Sequence, residues 1–178
     1  MSRPMKSILT LLLAAVALQA QNKPPVTLKA VLLEQLRTTH NQKDWFVPVM
    51  GAVEGLTPQQ AAWKDSGGNH SAGQLANHLL FWNSQQLAKL KGEKPATFNG
   101  NNDETFNSFD AKTWKPTVER LDRVLTDLEK LVESAPDEKV KEWASAIAHI
   151  GAHNAYHTGQ IISVRKLQGA WDAAKGVK

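Results

Sequence analysis

Apolar residues recur at intervals of three and four in four separate stretches of the chain, and nowhere do they alternate with the period of two that marks a half-buried strand. The first stretch runs from Thr27 to Val53, with Leu28, Val31, Leu32, Leu36, Trp45, Phe46, Val49 and Val53 on its stripe and Thr27 as its cap. Pro48 falls inside that pattern and is expected to kink or divide the helix. Gly55-Leu56-Thr57-Pro58 reads as a stop and a fresh start, with Thr57 capping and Pro58 in the first helical position. Ser66-Gly67-Gly68-Asn69 keeps that turn short. The second long helix runs from Ser71 to Lys91, opened by a Ser71–Gln74 capping box and carrying Leu75, His78, Leu79, Trp82, Gln86 and Leu90 on one face. Gly92 ends it and Pro95 prevents its resumption. The third runs from Lys115 to Ser134, and the fourth from Val140 or Glu142 to Gln168. Four long amphipathic helices make an all-α four-helix bundle the economical architecture, as one domain over 21–178.

Two segments stand outside the helices. Residues 92–113 are polar and Asn-rich, with Phe98, Phe106 and Phe109 scattered through them, and a loop of that length in a compact domain is often functional. Residues 1–20 have the layout of a secretory signal peptide: Arg3 and Lys6, an apolar run from Ile8 to Leu18 broken only by Thr10, and the small residue Ala20 before a polar stretch. That run is well short of the roughly 20 residues a membrane-spanning helix needs. The expectation is an exported protein, periplasmic or secreted, cleaved after Ala20 and with no stable membrane insertion thereafter.

Composition removes several classes of chemistry. There is no Cys among 178 residues, which excludes disulfides, thiolate-ligated zinc, iron–sulfur clusters and a thiol nucleophile. The net charge is +4 and falls to +2 once Arg3 and Lys6 are removed, too mild to argue for nucleic acid, and no basic stripe follows. Glycine-rich phosphate loops, dinucleotide fingerprints and the Gly-x-Ser-x-Gly elbow are missing. So is a Glu followed three residues later by His, the element that di-iron bundles use twice.

What remains is histidine. His149, His153 and His157 lie on the fourth helix at spacings of four, which brings neighbouring imidazoles onto one face. His78 sits in the apolar stripe of the second helix, placed to supply a third ring. The outer two, His149 and His157, are about 12 Å apart along the axis and cannot share one ion whose nitrogen bonds are about 2.0–2.1 Å. The pair is therefore His149 with His153 or His153 with His157. Buried imidazoles need partners for both ring nitrogens, and a cation satisfies one on each. His40 and His70 read as solvated.

The segment His149-Ile-Gly-Ala-His153-Asn-Ala-Tyr-His157-Thr-Gly-Gln160-Ile resembles the last-helix motif of the DinB-like superfamily, a His-x-x-x-His pair followed by x-Gly-Gln-Ile or Val. Ser71-Ala-Gly-Gln-Leu75-Ala-Asn-His78-Leu-Leu-Phe-Trp82 is similar to that family's second-helix start. Gly55-Leu56-Thr57-Pro58-Gln-Gln-Ala-Ala-Trp63 and Thr113-Trp114 fall in the matching order. The resemblance implies a bundle that holds one divalent metal through His78, His153 and His157. His149 then lies one turn away as a lining or supporting residue. It also implies relatives that are mostly cytoplasmic, some of them transferases using low-molecular-weight thiols; the export leader and the Asn-rich loop depart from that pattern.

Three neutral imidazoles plus water leave an open coordination position, as catalytic rather than structural zinc sites do. Imidazole suits several ions, with zinc or nickel the leading choices. The expected function is a metal-dependent hydrolase or a transferase of small molecules, with a homodimer implied by the resemblance; the alternative is a non-catalytic bundle stapled by its ion. Asn77, Asn154 and Gln160 are expected to orient the ligands, Gly159 to permit close helix approach, and Tyr156 to be the one candidate for proton transfer. Trp82, one turn beyond His78, belongs near the site; the other five tryptophans read as packing residues.

Overall fold

The computed structural model describes residues 25–176, so the leader expected at 1–20 and the start of the mature chain lie outside the described residues. Within them the order is α1 (Leu28–His40), α2 (Val49–Val53), α3 (Pro58–Ala62), α4 (Ala72–Lys91), α5 (Glu104–Asn107), a 3-10 turn at Ala111–Thr113, α6 (Trp114–Ser134), α7 (Asp137–Leu167) and a last 3-10 turn at Ala173–Lys175. No strand occurs among the described residues, and no helix there is long and apolar enough to cross a membrane.

Helix starts follow their local chemistry. The Thr27 hydroxyl accepts from the Ala30 amide at 3.1 Å. Thr57 with Gln60 and Ser71 with Gln74 form reciprocal capping boxes, each answering two otherwise unpaired amides. Gly92 ends α4 at φ 74°, a left-handed conformation that disfavours a side chain.

The first stretch is divided earlier than Pro48. α1 stops at His40, residues 41–48 are not helical, and Pro48 is the extended cap that precedes α2. Proline disfavours a helical conformation at Val47, which keeps the segment before α2 extended, but the stop at His40 lies seven residues upstream of that effect. Trp45 is 88% exposed, and its fit to the apolar spacing was coincidental. At its other end the bundle is more helical than its apolar residues indicate. α7 begins at Asp137, with Asp137 and Glu138 in a first turn that favours negative charge.

The four long helices pack in a ring, α1 on α7, α7 on α4, α4 on α6 and α6 on α1. Leu36, Leu75, Leu79, Leu121, Leu128 and Ile147 fill its interior. α1 and α7 approach closely at Gly151, where a Cβ would lie 2.6 Å from Gln35 Cγ. Gly159, expected to play that role, faces open space. Buried Asn83 and Asn154 pair across α4 and α7 at 2.8 Å, which fixes the register of the two helices that carry the histidines. Asn154 is thereby committed to this pair.

His40 corrects its solvated reading. It is 1% exposed; Nδ1 lies 2.6 Å from Glu129 Oε1 and Nε2 2.9 Å from Asp122 Oδ1. Burial alone pulls the imidazole down, but the Glu129 and Asp122 carboxylates outweigh it and hold the pKa above the ordinary value. The result is a cationic cross-tie between α1 and α6.

Candidate metal centre

The Asn83–Asn154 register places His78 of α4 opposite His153 and His157 of α7. One nitrogen from each of the three imidazoles falls within 4.8 Å of the other two. His78 Nε2 and His153 Nε2 are 3.1 Å apart. The His153 and His157 rings meet edge-on, with centroids 4.6 Å apart. His78 and His157 are buried and His153 is half-buried.

The outer nitrogens show which inner ones are free. The Thr105 hydroxyl donates to the Asn102 carbonyl at 2.6 Å, so it accepts from His78 Nδ1–H, also at 2.6 Å. His157 Nδ1–H donates to Gln160 Oε1 at 2.6 Å, and Gln160 Nε2 donates in turn to the Tyr156 hydroxyl at 3.3 Å. Both rings therefore carry their proton on Nδ1 and direct an unprotonated Nε2 toward the cluster. Two unprotonated nitrogens 3.1 Å apart repel, so a proton on His153 or a cation must bridge His78 and His153. That separation suits two nitrogens each about 2.0–2.1 Å from one ion.

Electrostatics agree with the donor set. Burial, and then the neighbouring His157, His153 and His70, push His78 down to about 3. Burial and His157 push His153 down to about 4. Burial lowers His157 as well, against the opposing Gln160 hydrogen bond. Neutral imidazole is the ligand form, so protons compete weakly for these nitrogens at neutral pH.

The Asn-rich connection supplies what the helices lack. Thr105 and Phe106 of α5 are buried, and Phe106 lies in a face-to-face stack between His70 and His78, with centroid distances of 4.0 and 3.9 Å. His70 is therefore half-buried behind Phe106, a correction to its solvated reading. α4 holds this strap along one face. Gln74 Nε2 donates to Asn107 Oδ1 at 3.1 Å, Asn77 Nδ2 to the Thr105 carbonyl at 2.7 Å, and Trp82 Nε1 to Asn102 Oδ1 at 3.2 Å. Asn77 thus supports His78 through Thr105 rather than by touching it. An isolated Phe in a polar loop was the available signal for Phe106; nothing in the sequence marked Thr105.

The cluster forms the floor of an open cavity of about 1020 Å³ between α4 and α7. Trp82, Gln86 and Ile150 line it, and exposed His149 fronts it one turn above His153. His149 is outside the three-nitrogen cluster. Tyr156 is 64% exposed and borders a separate depression with His70 and Gln160.

Fold and site together define a helical-bundle protein with a three-histidine cluster able to hold a metal ion. The sequence model of the DinB superfamily matches residues 49–161, from α2 into α7 and across all three histidines, and the chain belongs to that superfamily. No curated protein and no solved structure matches it.

Proposed function

We propose that this protein is a metal-dependent enzyme acting on a small molecule, a hydrolase or a group transferase. The observation that carries the reading is the convergence of three neutral imidazoles on the floor of an open cavity, two of them with Nδ1–H fixed from behind. His78, His153 and His157 would hold one divalent ion, zinc or nickel by the donor chemistry. When bound, such an ion lowers the pKa of its water toward about 7 or polarises a thiol or carbonyl group. The chain's own residues do the rest. Thr105 and Gln160 orient His78 and His157. Phe106 and Trp82 shield one flank from water. His149, exposed and one turn from His153, is the imidazole placed to carry a proton between the cavity and solvent.

A second reading is a bundle stapled by its ion without turnover, favoured by the fact that the ligands join α4 to α7. Elemental analysis of the purified protein, with a screen of ester, amide and thiol-transfer substrates, separates the two. About one metal per chain, lost in His78→Ala, His153→Ala and His157→Ala and kept in His149→Ala, establishes the centre. Turnover that His149→Ala slows while keeping its metal supports the enzyme. Full metal with no turnover supports the staple, and no metal after reconstitution overturns both. The charged start, short apolar run and Ala20 support export of this protein; the N-terminal sequence of material recovered outside the cytoplasm tests it, with Gln21 as the expected first residue.

A further inference from the structure

The cavity above the histidines is long, narrow in chemistry and electrically neutral. Along α7 its lining runs from His153 back to Glu142, eleven residues or about 16 Å. Its middle is apolar. Ile150, Ala146 and Trp82 stand within about two turns of the ligands, while Gln86, Asn102, Ser145 and His149 add polar groups that carry no fixed charge. Among the described residues no Lys or Arg lines it, although such side chains are how proteins hold a carboxylate or phosphate. Glu142, at the outer end, is the one carboxylate in the lining, and Lys139 neutralises it at 2.7 Å.

Resting on the metal-centre reading above, we propose that this cavity selects substrates with an uncharged, largely apolar body attached to one metal-seeking group. The ion's positive charge is met by that group alone. A second charge on the body, about five or six carbons away, would reach the wall of Ile150, Ala146 and Trp82. There it would give up part of its water for uncharged amides, the Ser145 hydroxyl and the His149 imidazole rather than for a fixed opposite charge, which is costly for either sign.

The test uses the cobalt(II)-loaded protein and reads dissociation constants from the visible spectrum. The probes are acetohydroxamate, hexanohydroxamate, and the hexanohydroxamates that end in a carboxylate or an ammonium. Hexanohydroxamate is expected to bind about tenfold or more tighter than either charged analogue, a gap that corresponds to about 1.4 kcal/mol or more. Ala146→Arg, a change to another good helix former on the half-buried wall, should tighten the carboxylate analogue about tenfold and leave acetohydroxamate unchanged. A charged analogue that binds wild type as tightly as hexanohydroxamate overturns the proposal; so does a folded, cobalt-loaded Ala146→Arg that gains nothing for the carboxylate. Failure to take up cobalt, or cobalt uptake with no response to acetohydroxamate, instead overturns the open metal centre on which it rests.

Discussion

His78 Nε2 and His153 Nε2 face each other at 3.1 Å across the α4–α7 interface, and burial holds both rings well below the ordinary histidine value. The consequence for stability has a definite sign. In the unfolded chain these imidazoles take up protons near pH 6.5, whereas in the folded protein they do so only near 3 and 4. Between those limits the unfolded state binds more protons, so stability falls as the pH falls. Metal-stripped protein is expected to lose about 1–2 kcal/mol for each of the two rings between pH 6.5 and 5. Urea melts at several pH values measure this. His78→Gln combined with His153→Gln should flatten the dependence, and an unchanged slope in that variant would assign the acid sensitivity elsewhere.

Thr105 holds His78 in the ligand tautomer because its only hydroxyl proton is already given to Asn102. Thr105→Val keeps the shape and removes the acceptor. It should weaken metal binding about 10–100-fold, the range for losing a hydrogen bond behind a histidine ligand. Thr105→Ser should restore most of it. Long-range nitrogen–proton NMR reads the tautomer directly: the Val variant should lose the population protonated at His78 Nδ1. If affinity falls while that population stays, Thr105 acts by packing alone.

The bundle was legible because apolar spacing, caps and breakers agree over most of the chain. Thr57, Ser71 and Gly92 end or begin helices where their side-chain chemistry requires. The histidine set was legible once the superfamily motif selected His153 and His157 over His149 and His153; helical spacing alone left that choice open. Two kinds of feature stayed hidden. Periodicity counts an apolar residue wherever it falls, so the spacing puts Trp45 on a helix that in fact ends at His40. Long-range polar partners leave no local trace. Nothing near His40 in the sequence announces Glu129 and Asp122, and nothing near His78 announces Thr105.

His40 has the opposite pH sign to the metal-site histidines. Its pKa is raised in the folded protein, so its contribution is complete below about pH 6.5 and is lost as the pH rises through the raised value. His40→Gln removes the imidazolium, leaving Glu129 with Arg37 alone at 3.9 Å and taking from Asp122 its partner. The expected loss is about 3 kcal/mol at pH 6, the low end for breaking a buried pair because Asp122 is half exposed. The loss should shrink toward pH 9. Thermal melts of variant and wild type at both pH values check this, and a larger loss at pH 9 would contradict the charged cross-tie.

Gly73 controls the strap from a distance. A Cβ there would lie 2.2, 2.4 and 2.8 Å from three atoms of the Phe109 ring, so Gly73→Ala must push that ring away. Phe109 follows the segment that Gln74 and Asn77 tie to α4, and Ser108 accepts from Asn77 Nδ2 at 2.9 Å. Displacing Phe109 therefore loosens Thr105 and Phe106, which back and cover His78. Metal affinity should fall about tenfold although no ligand is changed, in the range for disturbing a ligand's outer support. Gly159→Ala is the contrasting change, since nothing lies within 4 Å of its would-be Cβ on α7. That substitution should stabilise the protein by about 0.5–1 kcal/mol, the usual gain for replacing a helical glycine, and leave metal affinity alone. Calorimetric titration with zinc and a thermal melt on each variant separate the two; equal metal affinity in both would show that the strap does not support the centre.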